Sequence, residues 1–141
     1  MNSVPILFED NEILIVNKAA GVAVQGGAGI LHSLDTELPK QLGYAVHLVH
    51  RLDKDTAGVL LIAKSSSAAS KWQKLLASKH VQKEYHAICI GCPAALHGTL
   101  RSTVEAHGRV QSAVTQYAVE RTYSVTLPPE LQTSDGLKEL H

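Results

Sequence analysis

Apolar residues fall along the chain in short blocks separated by glycine, serine and charged turns. The first, Glu12-Ile13-Leu14-Ile15-Val16-Asn17, shows no polar alternation and predicts a strand covered on both faces. Val46-His47-Leu48-Val49 predicts a second, shorter strand. Val59-Leu60-Leu61-Ile62-Ala63 predicts a third, again apolar on both sides. The period then changes. Ala68, Ala69, Trp72, Leu75 and Leu76 recur at helical spacing, with Ser66 or Ser67 placed to cap that helix. Lys71, Lys74 and Lys79 fall largely on its other faces, and Trp72 reads as a core anchor. Further strands are expected over residues 83–90, 99–105 and 114–125. In the last, Tyr117, Val119, Tyr123 and Val125 alternate with Ala118, Glu120, Thr122 and Ser124. Leu127-Pro128-Pro129 ends that run, and residues 130–141 predict no further element. Residues 18–29, with Gly21, Gly26, Gly27 and Gly29, predict a loop with several positions free to take positive φ. The sum is a mixed, strand-rich sheet with one strong helix, an α+β fold.

The 141 residues suit one domain, 1–141, and an apolar share of 45% against 18% charged excludes a disordered tail. No apolar run approaches the about 20 residues of a membrane-spanning helix. No basic flank leads an apolar run at the N-terminus, so no secretory signal is expected, and the two cysteines read as free thiols of a reducing, cytoplasmic compartment. Net charge is zero but unevenly spread. Residues 1–39 hold one lysine and five acids, residues 40–85 eight lysines and arginines against three acids, and residues 86–141 four against five. A polyanion responds to such a local excess, not to the total. A solvated helix face with ordinary lysines explains the excess equally well.

The chemistry-bearing stretch is His50-Arg51-Leu52-Asp53-Lys54-Asp55-Thr56-Ala57-Gly58, held between two predicted strands. Asp53 stands among His50, Arg51 and Lys54, which favour its ionised form, and an ionised carboxylate serves as nucleophile or base. Thr56 and Gly58 suit a tight turn bonding back to Asp53. Taken alone, an aspartate in such a turn is more often an ordinary turn residue.

The pattern His-Arg-Leu-Asp-x-x-Thr-x-Gly followed by Val-Leu-Leu-Ile-Ala-Lys resembles the active-site segment of RluA-type pseudouridine synthases. Residues 6–10 with Glu12-Ile13-Leu14-Ile15-Val16-Asn17-Lys18 resemble that family's opening strand and Asn-Lys-Pro-Ala-Gly turn. Val81-Gln82-Lys83-Glu84-Tyr85-His86-Ala87 is similar to its Lys-x-Tyr-x-Ala strand, and Gly98-Thr99-Leu100 to the strand that follows. The resemblance covers most of residues 4–125. It implies a mainly antiparallel sheet with few helices and isomerisation of uridine to its C-glycoside in structured ribosomal or transfer RNA. The reaction is redox-neutral, so neither metal nor organic cofactor is expected. The resemblance makes Asp53 the catalytic carboxylate and Tyr85 the aromatic partner of an everted base. Arg51 would touch RNA beside the vacated stack, and Leu52, Thr56 and Lys18 complete the expected substrate-binding set. Lys18, Lys54 and Lys83 are candidate phosphate contacts. No membrane association, no protein partner and no S4-like RNA-binding domain is indicated.

The sequence departs from the family at Ala19, where proline is usual, at Gln25, where histidine is common, and at Ala57, where serine is common. A later Gly-Arg-x-His-Gln-Ile-Arg segment, whose arginine would pair with the aspartate, does not occur. The chain thus reads as a shortened version, incomplete at its C-terminal end, with an uncapped sheet edge and exposed apolar surface expected. A catalytically impaired RNA-binding remnant is the alternative. A third reading takes Cys89 and Cys92, with His86 and His97, as a metal or redox site. A continuous strand over residues 85–90 would place His86 and Cys89 on opposite faces, which argues against it.

Overall fold

The computed structural model describes residues 3–78, 80–106, 108–124 and 126. They form two compact units, Met1–Tyr85 and His86–His141. The first contains a four-stranded antiparallel sheet in the order β1-β2-β4-β3. Its strands are β1 (Ile6–Glu9), β2 (Ile13–Lys18), β3 (His47–Leu48) and β4 (Gly58–Ala63), with helices α1 (Leu34–Leu42) and α2 (Ser66–Ala77). The fold is α+β and antiparallel, as the sequence predicts.

The central pair, β2 and β4, runs in register from Ile13 opposite Ala63 to Lys18 opposite Gly58. Alternation then divides the side chains between two faces. Leu14 and Val16 join Leu60, Ile62 and Leu52 under Leu34 and Leu38 of α1. On the other face Ala63, Val49 and Leu61 meet Ala68, Ala69, Trp72 and Leu76 of α2. Cover on both sides explains the unbroken apolar runs. Val59 is the exception and is exposed.

Helix α2 is capped one residue earlier than expected. Ser65 is still extended, and its Oγ accepts the Ala68 N–H at 3.2 Å, three residues on. Helix α1 is hidden in the sequence because Pro39 stands inside it and only Leu34, Leu38 and the partly buried Leu42 face the core. Two other forces sustain it. Gly43 closes it at φ 78°, donating to the Pro39 carbonyl at 2.9 Å. The Gln41 amide accepts the Val4 N–H at 2.8 Å and donates to the Val4 carbonyl at 3.0 Å, clipping the chain ahead of β1.

The second unit holds a two-stranded antiparallel ladder, β5 (His97–Ala106) with β6 (Arg109–Ala118). Two sequence expectations are corrected around it. Residues 83–90 are not a strand, and the last expected strand stops at Ala118 instead of continuing through residues 119–124. Backbone groups need a neighbouring strand to pair with. Among the described residues, none pairs with residues 83–90 in a ladder; the approach of Glu120 to His86, at 3.5 Å, is through side chains. Beyond Ala118, opposite His97, the ladder has run out of β5, and one Val119 N–H to Leu96 carbonyl bond closes it. Leu100, Val104, Val110 and Val114 on the ladder, and Ile88 and Ile90 before it, are exposed, in line with the expected apolar surface. Val125 and residues 127–141, including the expected end of the last strand and the polar tail, lie outside the described residues.

Candidate active site

The nine-residue stretch leaves the sheet after β3 and rejoins it at β4. At its centre the Thr56 N–H donates to the Asp53 carbonyl at 3.2 Å, the expected turn. Gly58, at φ 126°, returns the chain to the sheet through a conformation that side chains rarely adopt. Three points of this turn are anchored, at His50, at Leu52 and at the Lys54 carbonyl. His50 is half-buried, and its Nε2 accepts the Leu61 N–H at 3.1 Å. Leu52 is buried in the α1-side core. The Lys54 carbonyl accepts from Lys18. The side chains of Arg51, Asp53, Lys54 and Asp55 are exposed. Among the described residues, no hydrogen bond or ion pair occupies the Asp53 carboxylate.

Two members of the expected substrate-binding set are turned inward. Leu52 is turned into the core, where its apolar side chain is largely withdrawn from water. Lys18 is 0% exposed, not a surface phosphate contact. Its Nζ donates to the carbonyls of Val22 at 2.7 Å, Lys54 at 2.9 Å and Ala19 at 3.1 Å. An ammonium has three donors, and each here has an acceptor. Burial pulls its pKa below the ordinary lysine range, while the charges of Asp55 and Asp53 pull it back up. Lys18 thus ties the loop after β2 to the Asp53 turn and sets a positive charge beneath both aspartates. Position in the sequence concealed this. The clue was that Lys18 shares its strand face with Leu14 and Val16.

Tyr85 lies in the non-strand segment after α2 with an exposed ring. Among the described residues no hydrogen bond, ion pair or ring contact joins it to the turn, although Lys83 of the same segment acts electrostatically on His50. Thr56 is half-buried, and its backbone shapes the turn. The basic excess of residues 40–85 is partly spent within the fold. Lys40 pairs with Glu37, Lys64 with Glu9 and Lys71 with Glu12. Arg51, Lys54, Lys74 and Lys83 are exposed and without an ion pair among the described residues. A depression of about 230 Å³ lies beside β2, lined by Val4, Asn17, Ala19 and Leu34 among others, and no residue of the Asp53 turn borders it.

Cys89 and Cys92 are free and exposed. The strand that was to separate Cys89 from His86 does not form, yet among the described residues no three potential ligands converge. No helix among them is long and apolar enough to cross a membrane.

Comparison with known proteins finds that a model of the RNA pseudouridylate synthase family matches residues 12–135. The chain is 39% identical over 102 residues to the ribosomal large subunit pseudouridine synthase C of Rickettsia bellii (strain RML369-C), covering 71% of this chain and 34% of that protein. It is 32% identical over 129 residues to the ribosomal large subunit pseudouridine synthase D of Yersinia pestis, covering 87% of this chain and 36% of that protein. Among solved structures, human RNA pseudouridylate synthase domain containing 4 aligns with a TM-score of 0.63 at 29% identity, over 79% of this chain and 52% of that one. The chain spans about a third of the length of these curated relatives.

Proposed function

The chain belongs to the RNA pseudouridylate synthase family, and on that premise we propose that it isomerises a uridine in structured RNA to pseudouridine, with Asp53 as the carboxylate that acts on the substrate. Large-subunit ribosomal RNA is favoured over transfer RNA, because the relatives' names specify the ribosomal large subunit. The observation that carries the reading is the state of Asp53. Its carboxylate is exposed and unpaired among the described residues, on a turn rooted in two strands and tied down by Lys18.

The reaction breaks the C1′–N1 bond and makes a C1′–C5 bond. C5 gives up a proton and N1 takes one, so atoms and electrons balance within the nucleotide. Asp53 starts this by adding to the sugar or base, or by removing a sugar proton. Arg51, Lys54 and Lys83, free of ion pairs among the described residues, meet the phosphates of the RNA, and Tyr85 offers a flat face to the everted base. The stoichiometry calls for no metal or organic cofactor.

A second reading, an RNA-binding remnant without turnover, is favoured by one observation: among the described residues no arginine pairs with Asp53. The test incubates the purified chain with unmodified ribosomal RNA and maps pseudouridine, beside Asp53→Asn. Product from the parent alone supports the enzyme. Binding without product from either protein selects the remnant, and absence of binding contradicts both.

A further inference from the structure

We infer that His50 is a positioning residue: its imidazole replaces the strand backbone that β4 loses where β3 ends, and so holds the start of the Asp53 turn against the sheet. The consequence for Asp53 rests on the function proposed above, whereas the tether itself does not.

Strand β3 pairs with β4 at only two positions, His47 with Ala63 and Leu48 with Ile62. The next step of that ladder would set Val49 opposite Leu61, but there the chain turns away to form the Asp53 loop. Leu61 lies between Leu60 and Ile62, both 0% exposed. An N–H at such a place needs an acceptor, and leaving it without one is costly. The acceptor is His50 Nε2, at 3.1 Å. One side chain therefore completes the edge of β4 at the point where the backbone departs, and fixes the residue three positions before Asp53. With Leu52 in the core and the Lys54 carbonyl on Lys18, it forms the first of three alternate anchors that leave Arg51, Asp53 and Asp55 facing outward.

The ring can accept only while Nε2 carries no proton, which places the proton on Nδ1. Burial pushes the imidazole below the ordinary histidine range, and the charge of Lys83 acts the same way, while a backbone hydrogen bond with Arg51 opposes them. Other groups around the ring add little charge. Strand β4 carries no titratable side chain, α2 meets this face through Ala68, Ala69, Trp72 and Leu76, and β3 offers His47. Arg51 and Asp53 follow within the turn itself and are exposed. The unfolded chain therefore binds more protons than the folded one below the ordinary histidine value. The tether is intact above about pH 6.5 and is lost as pH falls through the depressed folded value.

The test is nuclear magnetic resonance on the 15N-labelled full chain, with His50→Leu and His50→Gln. At neutral pH the parent is expected to show an unprotonated Nε2 and a slowly exchanging Leu61 amide. Acidification through the depressed folded-state value of the imidazole releases that amide, after correction for the intrinsic exchange rate. His50→Leu speeds its exchange about tenfold, the loss of one net hydrogen bond, and the Thr56 amide loosens with it. His50→Gln, whose side-chain oxygen accepts without titrating, restores protection and abolishes the acid step. A protonated Nε2 at neutral pH overturns the inference, as does a Leu61 amide equally slow in His50→Leu, or a Thr56 amide indifferent to both variants. Should His50→Leu not fold, the parent titration and His50→Gln decide. None of these readings requires turnover, so the tether and the proposed activity fail separately.

Discussion

Lys18 and Leu52 show how a side chain of the expected type can serve another end. Both belong to motifs legible in the sequence, and both face inward. A buried ammonium meeting three carbonyls is a structural bond between two loops, and the sequence offers no direct sign of which carbonyls converge there. Lys18→Met removes all three bonds and leaves their acceptors unsatisfied. It is expected to lower stability by about 2–4 kcal/mol, read by urea unfolding. An unchanged midpoint would mean that the ammonium carries no structural load. Gly58 is the converse case, a residue whose turn role the sequence does reveal. A Cβ there meets nothing within 4 Å, so Gly58→Ala isolates the backbone strain of φ 126°. A loss of about 1–2 kcal/mol is expected by the same measurement.

The elements divide according to where their stability originates. Strands β2 and β4 are buried on both sides by local apolar runs, and α2 follows its own periodicity, so all three were readable from the chain. Helix α1 depends on distant partners, the core beneath Leu34 and Leu38 and the Gln41 clip on Val4. Its Pro39 hid it. Gln41→Leu keeps the helix length and breaks the clip, with an expected loss of about 1–2 kcal/mol and faster amide exchange at Val4. An unaltered Val4 amide would show that the clip holds nothing. The failed strand at residues 83–90 teaches the same lesson from the other side. Its residues have strand propensity, but among the described residues no neighbour supplies the ladder that would make it one.

Across the whole chain, the Asp53 turn is complete in its local supports, whereas the exposed apolar residues of β5 and β6 have no cover among the described residues. A two-stranded ladder is marginal by itself, and the chain spans about a third of its curated relatives' length. The proposed catalytic carboxylate is thus present and held, and the question is whether it turns over. The most direct measurement is single-turnover conversion of unmodified ribosomal RNA by the parent chain, Asp53→Asn and Asp55→Asn in parallel, with melting curves confirming that all three fold. The account predicts pseudouridine from the parent and, within severalfold, from Asp55→Asn, and none from Asp53→Asn. Product from Asp53→Asn at the parental rate would contradict it.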